Sequence, residues 1–176
     1  MLSPRRRIPA DTVPRSLAKK IHPPKTLAAI VSHLKRQGRR IVFANGCFDV
    51  LHVGHAILLE RAKRLGDVLV VAINSDRSVA RLKGTGRPIV PQQDRARLLA
   101  AFASVDYVTT FDEPTPLRLI ARLKPHVLVK GSDWNTSKIV GGDLVRNHGG
   151  RVVRIPLVPG YSTTSLIERV RHRRSR

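Results

Sequence analysis

At 176 residues the chain has the size of one domain. Hydrophobic residues at 41% suffice for a core that, with aromatics at 4%, must be built from Val, Leu, Ile and Ala. No run approaches the roughly 18–20 apolar residues of a membrane span, no charged segment leads into an apolar one as in a secretory signal, and a single cysteine, Cys47, excludes a disulfide framework or a Cys-based zinc ribbon. A cytoplasmic, soluble domain is expected. The net charge of +21 is unevenly spread: residues 1–40 carry +10, residues 169–176 carry +5, and the stretch 41–168 only +6. Such an excess favours polyanions. It also describes solvated basic arms, and no recognition helix, RNP aromatics or zinc-finger spacing marks nucleic acid as a specific partner.

In chain order, residues 1–24 hold Pro4, Pro9, Pro14 and the Pro23-Pro24 pair among clustered Arg and Lys, which reads as a mobile arm. The domain then occupies 25–172. Leu27, Ile30, Val31 and Leu34 recur at helical spacing up to Gly38. Residues 40–44 form an apolar strand, and Ile57 to Leu65 a helix ending at Gly66. The β-branched run 68–73 is a second strand. Residues 76–90, broken by Gly84, Gly86 and Pro88, read as loop. There follow helix 93–102, strand 105–109, helix 116–123, strand 126–129, helix 138–148, strand 151–155 and helix 162–171. Strands that are apolar throughout and alternate with helices imply an α/β fold: a Rossmann-like, doubly wound, five-stranded parallel sheet in a single domain. Ligands in such sheets bind beyond the carboxyl ends of the strands.

The stretch 45–55, Asn-Gly-Cys-Phe-Asp-Val-Leu-His-Val-Gly-His, follows the first strand and opens a helix. His52 and His55 share a face at i, i+3. Gly54 lets a ligand approach the backbone, and a helix N-terminus attracts phosphate. The two imidazoles can then donate to charge developing on a phosphoryl group. Alone, the pair is equally well read as solvated or capping histidines. Zinc ligation by His52, His55 and Asp49 lacks a fourth ligand, and no protein-held metal is expected. Ser162-Thr163-Thr164 offers hydroxyls and N–H groups at another helix start, or a plain cap. Lys83 stands in a glycine-bordered basic stretch, where it either bridges phosphates or is solvated. Asp133 suits a ribose or a turn, Trp134 a core edge, and Cys47 packing.

The order of motifs resembles the nucleotidyltransferase superfamily of the H-x-G-H type. It runs from Gly46-Cys47-Phe48-Asp49 and His52-x-Gly54-His55 through Ile73-Asn74-Ser75-Asp76, Lys83 to Pro88, Arg95, Val105 to Val108, Lys124-Pro125 and Lys130 to Trp134, to Ser162-Thr163-Thr164. Over residues 26–170 it is most similar to the heptose 1-phosphate adenylyltransferase branch. The chain is too short for the kinase to which that unit is often fused, so a stand-alone form is expected. Two positions depart from the pattern: Ala44 stands where Thr is common, and Gly131-Ser132-Asp133-Trp134 has a cytidylyltransferase flavour.

The resemblance implies transfer of AMP from ATP, accompanied by Mg²⁺, to a sugar 1-phosphate, with release of pyrophosphate. The alternative it leaves is a cytidylyltransferase acting on glycerol phosphate. It implies His52, His55 and Lys83 as catalytic. Ala44, Asn45, Gly46, Cys47, Phe48, Asp49, Gly54, Lys130, Gly131, Asp133, Ser162, Thr163 and Thr164 would bind the nucleotide. Asp49, Asn74, Asp76, Lys83 and Arg87 would bind the sugar phosphate. A homodimer is compatible with the resemblance.

Overall fold

A computed structural model describes residues 12, 14–132 and 139–173, with side chains to residue 170. Its five strands are β1 (Ile41–Gly46), β2 (Val68–Asn74), β3 (Tyr107–Phe111), β4 (Val127–Gly131) and β5 (Arg151–Ile155). They form one parallel sheet in the order β3-β2-β1-β4-β5. The helices are α1 (Arg15–Ala18), α2 (Pro24–Arg36), α3 (Val53–Lys63), α4 (Asp76–Lys83), α5 (Gln92–Ala100), α6 (Leu117–Leu123), α7 (Gly142–Asn147) and α8 (Thr163–Arg173).

Side chains alternate across a strand, so β1 feeds two cores. Val42 and Ala44 join Leu59 and Ala62 of α3 and Leu99 and Ala100 of α5 on one face. Ile41 and Phe43 join Leu27 and Val31 of α2, Leu119, Ile120 and Leu123 of α6, and Val145 of α7 on the other. Every residue of β2 is buried, as a strand covered on both faces requires. The chain leaves β1 toward β2 and β3, then crosses back to place β4 on the other side of β1. The β1–β4 boundary is therefore the topological switch point, where such folds leave a crevice.

Three expectations need correcting. Residues 76–83 form helix α4, not loop. Ser75 caps it by accepting from the Ser78 N–H at 3.0 Å, and the glycines read as breakers act only from Gly84 onward. The third strand starts at Tyr107 rather than at 105; Val105 is buried just before it. And residues 14–22 lie on the domain. The Lys20 ammonium donates to the carbonyls of Phe102 (3.2 Å) and Val105 (2.8 Å). Ile21 bridges Val108 in parallel, with Val108 N–H donating to Lys20 at 2.8 Å and His22 N–H to Val108 at 3.0 Å. The unpaired edge of β3 supplies these donors and acceptors, and their pairing outweighs the open-chain preference of a Pro- and Arg-rich segment. The expected helix 138–148 is seen as α7; Lys138 lies outside the described residues.

Candidate active site

A cavity of about 800 Å³ opens beyond the carboxyl ends of β1 and β4. Its floor is the turn that leaves β1. Ala44, Asn45 and Gly46 end the strand, and residues 47–52 then lead into α3, whose N-cap is His52 in extended conformation. Phe48 sits at φ 47°, a left-handed backbone unusual for an aromatic residue. Asn45 Oδ1 is buried without a hydrogen-bond partner, an acceptor that only a ligand or water can use.

The rings of His52 and His55 lie 3.8 Å apart between centroids. The Phe48 ring is 5.1 Å from that of His55. Burial first, and then the neighbouring His52, lower the His55 pKa to about 4; burial also lowers that of His52. Both imidazoles are therefore neutral at pH 7. His55 Nδ1 accepts from the His52 backbone N–H at 3.4 Å. This leaves the ring proton on Nε2, as a donor. A Cβ added at Gly54 would stand 3.0 Å from the His52 ring, so the glycine is what lets that ring lie across the helix start.

Around this floor the structure gathers most of the residues singled out in sequence. Ala44 to Asp49, His52, Gly54, His55, Lys130, Gly131 and Ser162 to Thr164 line one cavity with Asn74, Lys83 and Arg87. The Lys130 ammonium lies 3.4 Å from the Asn45 carbonyl, tying the ends of β4 and β1. Ser162 caps α8 by accepting from the Ser165 N–H at 3.0 Å, and Thr163 Oγ1 donates to the Val50 carbonyl at 3.2 Å. The hydroxyls thus fix the helix start against the β1–α3 turn, while first-turn N–H groups of α8 remain without intrahelical acceptors. Burial pushes the Cys47 thiol up, in keeping with a packing role. Asp133 lies outside the described residues.

Two carboxylates behave differently from expectation. Asp76 does not line the cavity; it pairs with buried Arg95 at 2.7 Å. Asp49 lines the cavity but is only 3% exposed. Its Oδ1 accepts from the N–H groups of Ile89 (2.7 Å) and Val90 (2.9 Å), and its Oδ2 pairs with Arg87 Nε at 2.5 Å. These contacts pin residues 87–90 and so shape the wall of the cavity. Sequence reasoning missed Leu58, Leu82, Pro114 to Pro116, Val129, Val140, Leu157, Val158 and Tyr161, which complete the described lining. Pro114-Thr115-Pro116 follows β3 at the same carboxyl edge as the other site loops, which is the one signal that pointed to it.

Curated relatives include the bifunctional protein HldE of Syntrophotalea carbinolica, 52% identical over 151 residues that cover 86% of this chain and 31% of that protein. That of Koribacter versatilis is 54% identical over 160 residues, covering 91% of this chain and 33% of the relative. The chain thus spans about a third of the length of these relatives. Among solved structures, a lipopolysaccharide core biosynthesis protein from Thermoplasma volcanium GSS1 is 29% identical with a TM-score of 0.56, covering 68% of this chain and 97% of that one. A pantoate-beta-alanine ligase from Francisella tularensis shares the fold at 19% identity and a TM-score of 0.57, covering 77% of this chain and 66% of that one. Residues 43–169, from the first strand to the last helix, match as one block, and the chain belongs to the cytidylyltransferase-like family.

Proposed function

We infer that this chain is a sugar-phosphate adenylyltransferase: an oxygen of heptose 1-phosphate attacks the α-phosphorus of ATP in line, and the bond to pyrophosphate breaks. The observation that carries the reading is the convergence on one cavity of two neutral histidines at the start of α3, the start of α8, and the cations Lys83 and Arg87. Among the described residues no group in it is arranged as a covalent nucleophile; the thiol of Cys47 is held protonated. The residues suit positioning and charge neutralisation, which is what nucleotidyl transfer between two anions demands. The similarity to HldE proteins, and the motif order from Asn74 to Thr164, support adenylyl transfer to a heptose phosphate over the cytidylyl alternative.

In this mechanism the triphosphate lies between the N-termini of α3 and α8, whose free N–H groups and dipoles favour negative charge. His52 and His55 donate to the α-phosphoryl oxygens. Being neutral in the free enzyme, they give more to the charge that builds in the transition state than to the ground state. Lys83, at the end of α4, aligns the acceptor phosphate, with Arg87 beside it. Enzymes of this kind that use ATP generally work on its Mg²⁺ complex, in which the metal offsets triphosphate charge. Asp49 is the one carboxylate among the described lining residues, and it already faces Arg87. The described residues therefore do not form a protein-held metal site, and no step is routed through the ion.

The test is pyrophosphate release with ATP, CTP, GTP and UTP, each crossed with heptose 1-phosphate, other sugar 1-phosphates and glycerol 3-phosphate. ATP with heptose 1-phosphate is the expected productive pair. CTP with glycerol 3-phosphate as the productive pair would overturn both base and acceptor.

A further inference from the structure

Arg95 is fully buried, yet its guanidinium touches three separate segments, two of them through residues that line the cavity. Nη1 donates to the Cys47 carbonyl at 2.6 Å and to the Asn74 carbonyl at 2.9 Å. Nε donates to the Val90 carbonyl at 2.9 Å, and Nη2 to Asp76 at 2.7 Å. The three carbonyls belong to the turn after β1, to the end of β2 and to the segment following Arg87. Asp49 closes a ring from the other side, since it leaves the same turn as Cys47 and accepts from the Val90 N–H at 2.9 Å.

The Cys47 carbonyl belongs to the peptide that leads into Phe48, the residue in left-handed conformation. A backbone held there costs about 1–3 kcal/mol and persists only when its surroundings over-determine it. Arg95, through the Cys47 carbonyl, joins the packing of the Phe48 ring in doing so. A guanidinium offers five N–H donors in a rigid planar fork, which a lysine ammonium cannot reproduce toward acceptors on three segments. A buried cation with a single carboxylate partner is also an expensive way to fill a core. An apolar side chain at the same place would pack without holding any of the three carbonyls.

We propose that Arg95 is a positioning residue for the transfer step: through the carbonyls of Cys47, Asn74 and Val90 it fixes the turn beneath the α-phosphate relative to the wall that carries Arg87. The proposal rests on the nucleotidyl-transfer reading above. Misplacing reacting groups by about 1 Å costs on the order of a hundredfold in rate. Arg95→Lys is therefore expected to lower kcat per folded molecule by about that factor, with Arg95→Met losing more. KM and Kd for ATP should change far less than kcat, because a misplaced turn is felt most where charge builds in the transition state.

The assay is pyrophosphate release with ATP and heptose 1-phosphate, normalised to the folded fraction. Leu27→Ala in α2, remote from the cavity, serves as the control that lowers stability without touching the site. Asp76→Ala, which removes one partner of Arg95 at a half-buried position, covers the case in which the Arg95 variants do not fold. It should lower kcat several-fold and leave both KM values unmoved. Unchanged kcat per folded molecule in Arg95→Lys overturns the proposal while the function stands. So does a rise in the sugar-phosphate KM alone in Asp76→Ala, which would make Asp76 a substrate ligand. A wild-type chain silent with every nucleotide and acceptor overturns the transfer reading itself, and the proposal with it.

Discussion

His52 and His55 face one another with ring planes inclined by 31° and centroids 3.8 Å apart, an arrangement that disfavours charge on both rings at once. Protonating both would set two positive charges in near contact; burial already lowers the pKa of each, and for His55 the neighbouring His52 lowers it further. The pair is thus available at neutral pH as two donors with no net charge.

Removing a donor aimed at developing charge typically costs about 10²–10³ in kcat. His52→Asn and His55→Asn should each lose at least about a hundredfold in kcat, with ATP Kd changing far less. Single-turnover rates and calorimetric Kd values, taken alongside a thermal melt, check this. Near-normal kcat with a lowered Tm would return the histidines to a capping role.

The His55 pKa of about 4 also makes a claim about stability. Its folded value lies below the ordinary value near 6.5, so between those limits the unfolded chain binds more protons than the folded one, and stability rises with pH. The contribution is complete above about pH 6.5 and is lost as the pH falls toward 4. At 1.36 kcal/mol per unit it amounts to roughly 3 kcal/mol. Urea unfolding at pH 7.5 and 4.5 should show a larger loss for the wild type than for His55→Asn. Equal losses would mean that His55 protonates freely in the fold.

Asp49→Asn tests whether that carboxylate is structure or ligand. It removes the charge facing Arg87 and weakens the hold on the 89–90 N–H groups, and hydrogen bonds to charged groups are each worth about 1.5–3 kcal/mol. A drop in unfolding free energy of at least about 2 kcal/mol is expected, together with a raised KM for the sugar phosphate as Arg87 loses its place. Unchanged stability with altered nucleotide affinity would make Asp49 a direct ligand after all.

Deleting residues 1–13 should leave both Tm and turnover unchanged, and should weaken polyanion binding by removing bases. Deleting 1–22 also strips Ile21 from Val108 and Lys20 from two carbonyls. A fall in Tm of several degrees and a greater tendency to aggregate through the bared β3 edge are expected. Melts and light scattering on the two truncations separate the cases.

The sheet was legible because its central strands open on unbroken apolar runs, and the outer ones keep shorter β-branched cores. Val68 to Ile73 has no polar residue, and such a sequence can only be a strand covered on both faces. The His52–His55 turn was legible because strand, glycine-containing turn and helix follow one another with side chains of obvious chemistry. Less was readable where partners come from far along the chain. Helix α4 has Val79 as its one large buried apolar residue, so no periodic stripe announces it. Asp49 looked like a ligand because nothing in sequence shows that Ile89 and Val90, some forty residues on, bring their N–H groups to it. Arg95 stood in a recognisable block, but its burial cannot be inferred from an arginine in an amphipathic helix.

The central position of β1 divides the site into two parts of unequal constraint. β1 is hydrogen-bonded on both sides, to β2 and to β4, and the turn bearing His52 and His55 grows directly from it. Leu82, Lys83 and Pro114 to Pro116, which wall the opposite side of the cavity, come instead from the end of α4 and the loop after β3, outside the paired strands. Substitutions there disturb no ladder bond and no core contact of β1. On the proposed transfer reaction, selection can therefore exchange one acceptor for another by rebuilding that wall, while the turn that grows from β1 is inherited unchanged. On this architecture, relatives should diverge first in what they modify and last in how they do it.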